Sequence, residues 1–173
     1  MQGWEKEIMG QTAKRLCECE PFIVGQNNKT SELSILNVGF GLGIIGSFFQ
    51  QYHPARHVII EPHPDVLQFI TERGWPNKPG VHIYPGRWQD FLVDVQESKI
   101  QANFDVIYWD TFSEGYRSLK GFFNNMSDRL SGSEARFSWF HGLGATLRTL
   151  YDIYREMAGM EMREAGPKSR GWR

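Results

Sequence analysis

The sequence predicts an α/β protein, a mostly parallel sheet with helices on both faces. Two observations carry this. Short runs rich in β-branched and aromatic residues alternate with longer amphipathic stretches along the chain. The first run ends in "GFGLGIIG", glycines set between a strand pattern and a helix pattern. Strands alternating with helices bury both faces of a parallel sheet.

The elements follow in order. Trp4, Ile8 and Cys17 suggest an N-terminal helix, ahead of a loop, "GQNNKTSE". The first strand is "LSILNV" at 33–38, and a helix over 43–52 follows the glycines. "HVIIE" at 57–61 is the second strand. Pro62 and Pro64 then make a turn, and Asp65 caps a helix over 65–73. "VHIYP" at 81–85 precedes a helix over 88–96, and "FDVIYWD" at 104–110 precedes one over 114–130. "RFSWF" at 136–140 is the fifth strand, with a helix over 143–157 behind it. Every strand pattern is short, and the first four meet Gly, Pro or an acid at their ends. Residues 1–32 thus read as an N-terminal helix and loop, 33–160 as the core, and 161–173 as an irregular basic tail.

Composition narrows the function. The 173 residues are 40% hydrophobic, enough for one globular domain. With 19 Lys and Arg against 20 Asp and Glu there is no basic footprint, which argues against a direct nucleic-acid partner. No apolar run reaches the ~18 residues a membrane helix needs. "MQGWEKEIMG" has acids and no apolar centre, so it is not read as a secretory leader. Cys17 and Cys19, two apart on the expected helix, point to different sides and are read as free thiols of the cytoplasm or nucleus.

Chemistry is expected just past the carboxyl ends of the strands, where parallel sheets bind ligands. After the first strand, "GLGIIG" fits a dinucleotide loop and "VGFGLG" fits the loop of nucleoside-dependent methyltransferases; a plain tight turn is the third reading. Glu61 follows the second strand at the spacing from which an acid accepts ribose hydroxyls, or else it is a surface or capping residue. His63 reads as a packing or backbone contact. Trp88 in "GRWQD" is either a wall for an adenine or a core residue. Asp110 leaves the fourth strand with no cation near it in sequence, aimed into the cleft or capping the next helix. His141, in "FHGLGA", is a base or a loop-ordering residue.

Taken together, "GWEKEIM", "ILNVGFGLGII", "IIEPHPDVL", "GRWQDFL", "FDVIYWDTFSEGY", "FSWFHGLGA" and "YDIYREM" resemble the fungal protein-arginine δ-nitrogen methyltransferases, relatives of guanidinoacetate N-methyltransferase. The resemblance runs from about Trp4 to Met157. It implies a Rossmann-like class I fold, S-adenosylmethionine as cofactor, no metal, and a protein substrate bearing arginine, a ribosomal protein among the candidates. It implies that Met9, Gly39, Phe40, Gly41, Leu42, Gly43, Ile44 and Ile45 lie near the methionine moiety. Glu61 takes the ribose, and Pro62, His63, Trp88 and Gln89 line the adenine. Asp110 stands between cofactor and substrate. Trp4, Glu5, Thr111 and His141 meet the substrate, with Glu5 and Asp110 as the pair of carboxylates that grip a guanidinium.

The chain departs from the family pattern in three places. His141 stands where Asn is usual. The tail "REAGPKSRGWR" has no strand pattern where two more strands are expected, and the domain is read as lacking the N-terminal extension the resemblance leads one to expect. A sheet ending at five strands with an open edge is therefore expected. The leading reading is a guanidino N-methyltransferase, with three alternatives. These are a small guanidino compound as acceptor, a cofactor-binding module without turnover, and a nicotinamide-dependent oxidoreductase resting on "GLGIIG".

Overall fold

The computed structural model describes residues 3–18, 32–97, 99–111, 114–126, 129–132, 134–140 and 147–165. The five expected strands all form: β1 Ser34–Val38, β2 Arg56–Ile60, β3 Val81–Tyr84, β4 Val106–Trp109 and β5 Arg136–Trp139. All pair in parallel, in the order β3-β2-β1-β4-β5. β1, β2 and β4 are buried almost throughout, while β3 and β5 at the edges are half-buried.

Among the described residues six α-helices dress the sheet: α1 Gly3–Cys17, α2 Ile44–Gln50, α3 Pro64–Glu72, α4 Trp88–Gln96, α5 Tyr116–Met126 and α6 Arg148–Ala165. The period of two along each strand sends alternate side chains to opposite faces. Leu36, Val38, Val58, Ile60, Ile107 and Trp109 face α4 and α5. Those helices answer with Trp88, Phe91, Leu92 and Val95, and with Leu119, Phe122, Phe123 and Met126, both at the spacing of a single apolar stripe. On the other face, Ile35, Val106 and Tyr108 meet Ala13, Leu16 and Cys17 of α1 and Ile45 and Phe49 of α2. Ile59 packs with Phe40, Ile70 and Trp75.

Four helix bounds differ from those the pattern suggests. α2 starts only at Ile44, because Gly43 has φ 73°, outside the helical region. α3 starts at Pro64 and its cap is His63, not Asp65; the His63 ring accepts the Asp65 backbone N–H at 3.3 Å. α5 stops at Met126, and Leu130 instead bridges to Phe104, a long-range pairing that periodicity cannot register. α6 runs from Arg148 to Ala165, so the first residues read as an irregular tail are helical.

The N-terminal helix is fastened by side chains from distant parts of the sequence. The Arg136 guanidinium on β5 donates to the carbonyls of Arg15 and Leu16 at 2.7 and 3.3 Å. These are C-terminal carbonyls of α1, where a cation also meets the negative end of the helix dipole. Cys17 packs there against the sheet, and burial pushes its thiol up to about 12. Cys19 lies outside the described residues.

Candidate functional site

The register brings one set of residues to the carboxyl edge. Val38 pairs with Ile60 and with Trp109, Ile60 with Tyr84, and Trp109 with Trp139. Gly39, Glu61, Pro85, Asp110 and Phe140 therefore stand side by side, one step beyond their strands. The ladder holds them there. Gly39 N–H donates to the Ile60 carbonyl at 2.9 Å, Glu61 to Tyr84 at 3.1 Å, Asp110 to Val38 at 2.8 Å and Phe140 to Trp109 at 2.8 Å. The strand order reverses between β1 and β4, so the cleft of such a sheet opens between Gly39 and Asp110.

Gly39, Gly41 and Gly43 all have positive φ, at 85°, 55° and 73°. Two of these positions contrast. A Cβ on Gly39 would lie 1.9 Å from the Asp110 carbonyl oxygen, so this glycine admits the close approach of β4's continuation. A Cβ on Gly41 would meet nothing within 4 Å, so only the positive φ, and no close neighbour, favours glycine there.

Glu61 is buried at 6% exposure and anchored by backbone. Its Oε2 accepts the Phe40 N–H and its Oε1 the His63 N–H, both at 2.9 Å. A carboxylate offers about four lone-pair sites, so each oxygen keeps one for a ligand hydroxyl. The rotamer is set before any ligand arrives. The donor set fits the nucleoside group implied by the sequence, since the remaining lone pairs could accept hydroxyls.

The other expected cofactor residues fall into two groups. Phe40 and Ile45 turn their side chains into the core, at 4% and 2% exposure, and can offer backbone only. Met9 is half-buried against the packing of α1 on α2. Leu42 and Ile44 remain at the surface of the loop, with Leu42 the more exposed. Pro62, His63 and Gln89 are exposed along the rim. The Trp88 indole is buried, edge-on to Trp109 and Phe122 with centroids 5.5 Å apart in each case. What Trp88 and Gln89 present to a ligand is the start of α4, whose first N–H groups have no intrahelical acceptor.

Asp110 and Thr111 are half-buried beside Gly39. Asp110 stands two residues from Tyr108, whose phenol is pushed up by burial first and then by the Asp110 charge. Glu5 and Trp4 lie in the first turns of α1, but their side chains lie outside the described part, as do His141 and Phe112. One partnership had no signal in the sequence. Trp88 Nε1–H donates to Glu114 Oε2 at 2.9 Å, across 26 residues of chain. Among the described residues no cluster of His, Cys, Asp and Glu could hold a metal, and no helix is long and apolar enough to cross a membrane.

Comparison with known proteins agrees with this architecture. The family model for guanidinoacetate N-methyltransferase matches residues 5–157. Protein arginine N-methyltransferase 2 of Aspergillus oryzae is 41% identical over 166 residues, covering 96% of this chain and 37% of that protein. The protein of the same name from Yarrowia lipolytica is 41% identical over 167 residues, covering 96% and 33%. The chain thus spans about a third of the length of these curated relatives. Among solved structures, the N-methyltransferase NodS of Bradyrhizobium japonicum has TM-score 0.62 at 15% identity, over 95% of this chain and 84% of that one. Spermidine synthase of Thermotoga maritima has TM-score 0.59 at 15% identity, over 90% and 51%. At these identities the two structures speak for the fold alone, the Rossmann-like fold of class I methyltransferases. With the family model matched from residue 5 to residue 157 and the fungal arginine methyltransferases among its relatives, the chain belongs to the guanidinoacetate N-methyltransferase family.

Proposed function

We propose that this chain transfers a methyl group from S-adenosylmethionine to a guanidino nitrogen, the δ nitrogen of an arginine in a protein. The observation that carries the reading is the contact of Gly39 with the Asp110 carbonyl, which joins a nucleoside-type loop to an acid at the switch point of the sheet. Glu61 would hold the ribose. The backbone from Gly39 to Ile45, with Met9, would hold the amino-acid end, and Pro62, His63, Trp88 and Gln89 the adenine. When bound, the cofactor supplies a methyl already activated by its sulfonium.

The protein's task is the nucleophile. A guanidinium has a pKa above about 12 and its lone pairs are delocalised. Asp110 can grip the planar fork and fix which nitrogen faces the methyl, with Glu5 of α1 as the second carboxylate. Orientation then supplies most of the acceleration. Trp4, Thr111 and His141 would border the substrate. A protein acceptor, a ribosomal protein for instance, would put the reaction in the cytoplasm or the nucleus, a reading the free thiol of Cys17 supports.

A second acceptor, a small guanidino compound, is favoured by the name of the matching family model. One series of measurements separates these readings. S-adenosylmethionine titrated into the folded chain should bind, and Glu61→Ala should weaken that binding by about 100-fold, the worth of two good hydrogen bonds. Methyl transfer should then appear on an arginine peptide and fall in Asp110→Asn while cofactor affinity persists. Transfer to guanidinoacetate alone would favour the small acceptor. Binding without any transfer would leave a cofactor-binding module, and no binding would end the proposal.

A further inference from the structure

The segment that carries Asp110 and Thr111 leaves the sheet at Trp109 and reaches Glu114 before α5 begins at Tyr116. One side chain touches both of its ends. The Trp88 ring packs edge-on against Trp109 at 5.5 Å, and its Nε1–H donates to Glu114 Oε2 at 2.9 Å. The indole itself is held by the core: Trp88 is 7% exposed, and Phe122 closes it from a third direction with centroids 5.5 Å apart. An indole offers only this one donor, so its orientation leaves Glu114 a single place to bond. The bond is also charge-assisted, since the acceptor is a carboxylate.

We infer that Glu114 is a positioning residue for the acid at the cleft. It ties the far end of the Asp110 segment to the first residue of α4, so that Trp88 staples both ends of that segment to one rigid ring. The staple would also link the two halves of the site, because α4 begins at the adenine side and Asp110 stands at the acceptor side. Glu114 itself need touch neither ligand. Its role in turnover rests on the methyltransferase reading, whereas its mechanical role does not, and the test reads the two separately.

The test is made on the full chain with Glu114→Gln, Glu114→Ala and Trp88→Phe. Backbone hydrogen exchange is followed first, at Asp110, whose N–H donates to the Val38 carbonyl, and at Thr111. Loss of a charge-assisted bond should raise exchange there by about tenfold in Glu114→Ala, with β1 and β2 unchanged. Trp88→Phe should raise it similarly, and Glu114→Ala should add nothing on that background. Glu114→Gln keeps an acceptor oxygen and should restore most of the protection. With methyl transfer as the second readout, kcat should fall by roughly tenfold to a hundredfold in Glu114→Ala, the scale of a small misplacement. Cofactor affinity should stay within about threefold, and Glu114→Gln should recover most of kcat. Unchanged exchange in Glu114→Ala would overturn the inference even if the chain proved to have no activity. So would a Glu114→Gln variant as impaired as Glu114→Ala, which would mean that the charge acts on a ligand and not on Trp88.

Discussion

The two sides of the cleft are built differently. On the side of β1 and β2, the glycine loop and Glu61 are held by backbone: ladder bonds continued past the strand ends and two main-chain N–H groups on one carboxylate. On the side of β4 and β5, Asp110 and Phe140 share such ladder bonds, but the far end of the Asp110 segment and the C-terminal end of α1 are tied by long side chains reaching across the fold, Glu114 to Trp88 and Arg136 to the end of α1. The first side is rigid because its parts are inseparable from the sheet. The second keeps its parts adjustable, since a side-chain bond is worth about 1 kcal/mol and breaks without disturbing the sheet.

The largest expected effect tests whether the rigid side is inseparable from the sheet. Gly39→Ala puts a methyl 1.9 Å from the Asp110 carbonyl oxygen at a φ of 85°. Backbone must move against backbone, so stability should fall by more than about 3 kcal/mol in urea unfolding. A fold that absorbs the methyl at little cost would show that the two sides are not joined there.

An intermediate effect concerns pH. His57, near the amino end of β2, is fully buried against Phe49 and Trp75, its Nδ1 accepting from Gln50 Nε2 at 2.9 Å. Burial lowers its pKa from 6.5 to about 3. The folded state therefore favours the neutral ring. That stability is present in full above the unfolded value and is lost as pH falls from about 6.5 toward about 3. The loss approaches about 1.4 kcal/mol per pH unit. His57→Phe should flatten this acid limb while changing the neutral-pH slope little. An unaltered limb in denaturant midpoints across that range would remove His57 from the acid response.

The smallest effect belongs to the adjustable side. Arg136→Ala frees the carbonyls of Arg15 and Leu16 and should cost about 1–2 kcal/mol. Hydrogen exchange should quicken in α1 and not in α2. Equal quickening in both would make α1 part of the rigid side and erase the contrast.

Legibility in the sequence follows the same division. Gly39, Glu61 and Asp110 were readable because each stands at a set place relative to a strand pattern, and parallel strands bring such places into one row. α4 appears with the bounds its apolar spacing predicts, Trp88–Gln96. The core placement of the Phe40 and Ile45 side chains was not readable, since an apolar residue in a ligand loop looks the same whether it faces ligand or core. Nor was the cap of α3, where a His ring does the work expected of Asp65. Glu114 stood in view within "WDTFSE" without a role, because its partner lies 26 residues away.

By itself, then, the sequence determined the strands, their parallel pairing and the row of glycine and acids along their carboxyl ends, because these depend on local pattern and on the period of two. Only the tertiary structure decided which apolar side chains of the loop turn inward, how α1 is fastened, and how the Asp110 segment is tied to α4. Those features rest on contacts between residues far apart in sequence, and no local spacing encodes which distant partner a side chain will meet.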